Sequence, residues 1–171
     1  VLATHSDQAL RLLAQPTAQE QAVLGAIRYH PNRAWLHTDA SVMPRRTKAW
    51  AAWNYERGPA QEDDGSRHVC LHYWLNRLQP LPFRDQVFVS LNPVRAIDPT
   101  QVIAEFSYAH PVFDAPAINA QRKLVALQGA RNTWFAGAWT GYGFHEDGLK
   151  SGLAVAASIA AHAQPPAKQA A

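Results

Sequence analysis

The chain has 171 residues, of which 47% are apolar, 17% charged and 10% aromatic, a globular composition that excludes collagen, a coiled coil and a long disordered chain. Sixteen Lys and Arg against 13 Asp and Glu leave a net charge of +3, and only Arg45, Arg46 and Lys48 cluster, too sparse a stripe for nucleic acid to be an expected partner. No run of about 18 apolar residues predicts a membrane span. One cysteine, Cys70, without a recognisable leader, gives the cytoplasm as the expected compartment.

Val1 to Thr4, the polar His5-Ser6-Asp7 and the periodic Ala9, Leu10, Leu12 and Leu13 predict the end of a buried strand, a turn in which Ser6 or Asp7 caps, and a short helix. With no Met ahead of that strand, the chain is expected to be the C-terminal part of a longer polypeptide. A second helix is expected over 18–24. Two alternating runs, 26–30 and 34–37, flank Pro31-Asn32 and predict an antiparallel hairpin. Residues 39–48 read as a loop and Trp50 to Tyr55 as a strand. Gly58 to Ser66, with Glu62, Asp63 and Asp64, reads as a solvated hairpin tip.

Further strands are expected over 68–75, 86–91 and 101–109, then a helix over 115–128. Thr133 to Ala138 reads as a short apolar strand running through an aromatic, glycine-rich turn into a helix over about 146–161. The tail from Ala163, with Pro165 and Pro166, is expected to be loose. No internal repeat is evident. The predicted class is α/β, or α+β for a fragment: a mainly antiparallel sheet inserted between two α/β pieces. The expected parts are 1–24, 25–112, 113–162 and the tail 163–171.

The chemistry concentrates in 135–152, Phe-Ala-Gly-Ala-Trp-Thr-Gly-Tyr-Gly-Phe-His-Glu-Asp-Gly-Leu-Lys-Ser-Gly. Gly137, Gly141, Gly143 and Gly148 lie around the strand-to-helix junction, and Gly152 follows one turn later. A helical glycine costs about 0.5–1 kcal/mol relative to alanine. Gly148 and Gly152, four residues apart on one face, therefore predict close approach by something flat or by another backbone. The helix start offers unpaired amides and partial positive charge to an anion or an electron-rich carbonyl. A tight turn built of small residues for helix packing is the competing explanation.

The Phe-Ala-Gly strand, the aromatic glycine turn and Glu-Asp-Gly-Leu-Lys-Ser-Gly-Leu-Ala-Val-Ala resemble the C-terminal FAD-contacting segment of the amine oxidase and phytoene desaturase superfamily of flavoproteins. Gly-Tyr-Gly-Phe-His-Glu-Asp-Gly-Leu, with Met43-Pro44-Arg45-Arg46 and Trp50 to Tyr55, is similar to a bacterial branch of predicted NAD/FAD-binding proteins. The resemblance extends over most of the chain. It implies parts of a dinucleotide-binding FAD domain at both ends and a substrate-domain sheet between them. It places Gly137 and Ala138 near the ribityl and pyrophosphate, His145 and Glu146 at the helix start facing the flavin pyrimidine edge, and Asp147 and Gly148 in that first turn. Phe144 matches a Tyr that frames the amine in many amine oxidases, so amine specificity does not transfer. Trp139 and Thr140 stand where the family often has an acidic residue. The family's GxGxxG turn and ribose-binding acid do not occur in these residues, so the segment carries an incomplete FAD site and is not expected to hold FAD tightly alone.

The resemblance implies the C-terminal part of an FAD-dependent, amine oxidase-like oxidoreductase moving hydride from a C–N or C–C bond to flavin. The middle sheet would shape the pocket for a small apolar or amine substrate; no catalytic residue is assigned. The alternative is a non-catalytic fragment or interaction module of the same fold that does not bind FAD alone, its seam docking the N-terminal remainder of the same protein or a second copy. His68, Cys70 and His72 share a strand face, but the outer two lie about 13 Å apart along it, too far for one ion. No metal is expected there, although any pair could chelate with help from elsewhere. No GxSxG elbow supports a serine hydrolase. Trp50, Trp53, Tyr55, Tyr73 and Trp74 either line an apolar pocket or fill the core, the core being the expectation.

Overall fold

A computed structural model describes residues 1–60 and 67–163; Glu62, Asp63 and Asp64, the side chain of His68 and the tail from 164 lie outside the described residues. The chain is mixed α/β, and its elements follow from local signals. α1 (Ser6–Leu12) starts after His5, whose N–H donates to the Gln8 side chain at 3.3 Å. The cap therefore comes from His5 and Gln8, not from Ser6 or Asp7. Ser6 is fully buried inside the helix, with its N–H donating to the Tyr29 hydroxyl at 2.8 Å, and Asp7 pairs with Arg11 one turn on. α2 (Ala18–Leu24) has the expected bounds. The Thr17 hydroxyl accepts from the Glu20 N–H, and the Glu20 carboxylate accepts from the Thr17 N–H, a reciprocal cap.

The hairpin expected around Pro31-Asn32 is one continuous strand, β1 (Tyr29–His37). Hydrogen bonding explains how it passes through a proline. The Arg33 N–H and C=O face Asn92, just beyond the end of β4 (Phe88–Leu91), which pairs only with Ala34 to His37. Pro31, two residues earlier, points its nitrogen the same way, past the end of β4, where no ladder bond is required.

β2 (Trp53–Ala60) pairs antiparallel with β3 (Arg67–Trp74), which runs into the single-turn α3 (Leu75–Leu78). With β5 (Val102–Pro111) the five-stranded order is β2-β3-β4-β1-β5. The register puts Trp35, His37, Phe88, Ser90, Cys70, His72, Trp74 and Glu56 on one face. Val42, Met43, Phe88 and Ile97 form a core there, with Trp35, Trp50 and Trp74 packed against it. Trp53, Tyr55 and Tyr73 take the opposite face. Filling the core thus describes Trp50 and Trp74, whereas Trp53 and Tyr55 are exposed, because alternation along β2 turns them away from the packed side.

α4 (Ala115–Lys123) opens on Asp114, whose carboxylate accepts from the Ala117 N–H. The helix expected to reach 128 ends at Lys123 and tightens into a 3-10 turn at Leu124–Ala126. Leu2 and Phe135 form a parallel bridge, with Leu2 N–H donating to the Trp134 carbonyl and Ala136 N–H to the Leu2 carbonyl. α5 (His145–Ala163) closes the described chain. Two compact units result: Val1–His30 with the chain from Pro111 onward, and Pro31–His110. The first has its own core of Ala9, Val23, Leu24, Ile27, Ala117, Ala120, Leu124, Leu127, Phe135 and Trp139. Among the described residues, no helix is long and apolar enough to cross a membrane.

Candidate functional site

In the first unit the short strand expected over 133–138 is reduced to the single bridge at Phe135, because only Leu2 pairs with it, and beyond it Gly137 turns into α5 through a self-supporting loop. Gly137 has φ +150°, and a Cβ there would lie 2.6 Å from the Trp139 indole nitrogen. Its N–H donates to Ser151 Oγ at 2.9 Å, and its carbonyl accepts from Thr140. Gln121 of α4 donates to the carbonyls of Trp139 and Gly141 at 2.8 and 2.6 Å, fastening the turn. The Asp147 carboxylate lies against Gly141, where a Cβ would come within 2.5 Å of it, and accepts from the Tyr142 and Phe144 amides at 3.1 and 3.0 Å. Asp147 therefore caps its own helix.

The amides of His145 and Glu146, next along the helix start, have no protein acceptor among the described residues. Phe144 is 64% exposed. Gly148 and Gly152 lack the internal crowding seen at Gly137 and Gly141. A Cβ on Gly148 would touch only Ala138 at 3.8–3.9 Å, and one on Gly152 would meet nothing within 4 Å. Of the residues expected at a cofactor, Gly137 and Asp147 are committed to the chain's own turn. His145, Glu146 and Gly148 present open backbone, and Ala138 lies beneath Gly148.

The second unit carries a polar relay on the packed face of its sheet. Arg95 grips Glu56 with Nε to Oε1 at 3.0 Å and Nη2 to Oε2 at 3.2 Å, while also donating to the Ser41 and Val42 carbonyls. Glu56 Oε2 meets His72 Nε2 at 3.1 Å, His72 Nδ1 meets Ser90 Oγ at 2.6 Å, and Ser90 Oγ meets His37 Nε2 at 2.7 Å. Cys70 Sγ lies 3.2 Å from His72 Nε2. Cys70, His72, Ser90 and His37 are all buried.

A carboxylate only accepts, so Nε2 of His72 carries a proton towards Glu56, and in the neutral ring Nδ1 then accepts from Ser90. Burial alone would raise the Glu56 carboxyl, but hydrogen bonds from His72 and Arg95 hold it below the ordinary range. Burial pushes the Cys70 thiol up to about 11 and pushes His37 down. Beside the relay is a pocket of about 300 Å³, lined by Glu56, His72, Arg95, Asn54, Tyr55 and Arg57 among others.

The sequence marks the Cys70–His72 pair but not Glu56. The register places Glu56 opposite Cys70 across β2 and β3, which brings a carboxylate beside that pair. Spacing along one strand cannot reveal a cross-strand partner; an Glu one strand earlier becomes informative only once the hairpin register is fixed. No family model and no curated protein matches the chain.

Proposed function

We propose that the chain is the C-terminal part of an FAD-dependent oxidoreductase, the turn and helix that follow the Phe135 bridge, within 133–163, being its flavin-contacting segment. The observation that carries the reading is the pair of glycines on α5. Among the described residues, neither Gly148 nor Gly152 is required by packing, yet each destabilises the helix by about 0.5–1 kcal/mol relative to alanine. A surface kept bare at that cost fits a flat partner lying on the helix. The free His145 and Glu146 amides fit its electron-rich edge.

The residues that would hold the cofactor are the amides of His145 and Glu146, the bare backbone at Gly148, and Ala138 below it. Asp147 fixes where the helix starts, and Ser151 fixes Gly137, so both orient the contact without making it. When bound, the flavin would supply the hydride-accepting chemistry for oxidation of a C–N or C–C bond in a small apolar or amine substrate. The chain's own residues present donors at the helix mouth and keep the approach to its surface clear.

The test is to purify the product of the complete reading frame that contains these residues and record its absorbance with and without added FAD. The expected result is yellow protein at one flavin per chain, with Gly148→Leu reducing the flavin retained at least tenfold. Colourless protein at saturating FAD overturns the reading and leaves a non-catalytic module of the same fold, whereas full loading of the Gly148→Leu variant overturns the assignment of the flavin contact to α5.

A further inference from the structure

We propose that Glu56, Cys70 and His72 form a transition-metal site, best matched to Zn²⁺, whose open fourth position faces the pocket beside Glu56 and His72. Their ligand atoms all lie within 4.8 Å of one another. Sγ to Nε2 is 3.2 Å and Nε2 to Oε2 is 3.1 Å. Donors on one tetrahedral ion with bonds of about 2.0–2.3 Å are spaced about 3.3–3.7 Å apart, so closure around an ion needs shifts of a few tenths of an ångström at these two gaps. One thiolate, one imidazole and one carboxylate form a donor set suited to zinc, and three protein ligands plus an open position is the arrangement of reactive rather than purely structural zinc.

The surroundings are those of ligands held in place. Arg95 fixes the Glu56 carboxylate by a two-pronged contact, and Ser90 fixes the His72 ring from its far nitrogen, itself anchored by His37. Entry is offered by the pocket: Glu56 and His72 line it, while Cys70 lies fully buried. Thiolate and carboxylate cancel the two charges of the ion, leaving Arg95, half exposed to water, as the remaining charge.

Protons balance on loading. The Cys70 thiol proton leaves to solvent. The His72 proton moves from Nε2 to Nδ1, where Ser90 Oγ accepts it, and the Ser90 hydroxyl turns to donate to His37 Nε2, whose own proton moves to Nδ1. The inference uses only the sheet unit and is independent of the flavin reading.

Cobalt(II) is the probe. Chelator-treated full chain, without flavin, should bind one equivalent of Co²⁺ and show a thiolate-to-cobalt charge-transfer band with d–d absorption of four-coordinate intensity, both abolished by Zn²⁺. Cys70→Ser should remove the charge-transfer band, and Glu56→Gln, at a partly exposed position, should weaken Zn²⁺ binding about tenfold or more with an unchanged far-ultraviolet circular dichroism spectrum. A wild-type spectrum indistinguishable from aqueous Co²⁺ overturns the proposal. So does a charge-transfer band that survives Cys70→Ser, or Zn²⁺ affinity that Glu56→Gln leaves intact. The wild-type measurement decides even where Cys70→Ser fails to fold. Because no flavin is present, its failure is distinct from a failure to bind FAD.

Discussion

At Gly152 the difference between a packing glycine and a bare one becomes measurable. Since an added methyl meets nothing within 4 Å, Gly152→Ala should gain about 0.5–1 kcal/mol from the helix-interior term alone. Gly148→Ala should shift stability in the same direction, its methyl making only ordinary contact with Ala138. Urea midpoints of the two variants check this; a fall in either would mean that the chain itself fills the surface. Asp39 offers a second residue-scale test. Buried, it accepts from the Ser41 N–H at 2.8 Å and the Asp98 N–H at 3.0 Å. Burial alone would raise its carboxyl, yet these amides hold it below the ordinary value. A depressed folded value stabilises above the ordinary carboxylate range and loses that contribution as pH falls through the folded one. Asp39→Asn should therefore cost about 1–3 kcal/mol at neutral pH and flatten the acid limb of the stability curve, as followed by urea melts across pH. The sequence does not disclose this role, because Asp98 is brought to Asp39 only by the tertiary fold.

At the scale of elements, legibility follows the range of the signal. α2 is readable to the residue because Thr17 and Glu20 cap each other within four positions. β1 is misread at Pro31-Asn32 because whether a proline turns or continues depends on where the neighbouring strand stops, which no local pattern contains. α5 lies between these cases. Its existence is plain from apolar content, but its start is set by Asp147 reaching back to the Tyr142 and Phe144 amides. Removing that carboxylate in Asp147→Ala should cost about 1 kcal/mol and fray the first turn, readable as faster hydrogen exchange at the Tyr142 and Phe144 amides, which lose their acceptor, and at the Asp147 and Gly148 amides, which donate to the Phe144 carbonyl. Leu149 and Leu153 on the same helix are 57% and 62% exposed. Together with Gly152 they give α5 an apolar outer side, and its buried contacts run through Val155 against Trp134 and Ala136. Nothing in the helix's own period marks which of its apolar sides is covered, since it is apolar nearly all round.

For the whole molecule, the decisive feature is that one unit is assembled from both ends of the described chain while the other is a continuous stretch. The order of element types already suggests a sheet between two α/β pieces, but only the Leu2–Phe135 bridge and the shared core show which residues of the two ends meet. Deleting residues 1–13 removes Leu2, Ala9, Leu10 and Leu13 from that core, together with both backbone bonds to Trp134 and Ala136. A fully buried leucine contributes about 1.5–3 kcal/mol, so losing three partly buried ones with Ala9 removes a sizeable part of the stability of a small domain. The truncated chain should therefore lose the near-ultraviolet signal of Trp134 and Trp139, whose indoles donate to Ser158 and to the Thr4 carbonyl. The signal from Trp50 and Trp74, packed edge-to-face at 5.3 Å within the continuous unit, should persist. Replacing Trp134 and Trp139 with Phe in the intact chain assigns the two contributions. Simultaneous loss of both signals would show that the sheet unit cannot keep its fold without the discontinuous one, and a truncation that loses neither would show that the N-terminal residues are not part of the core.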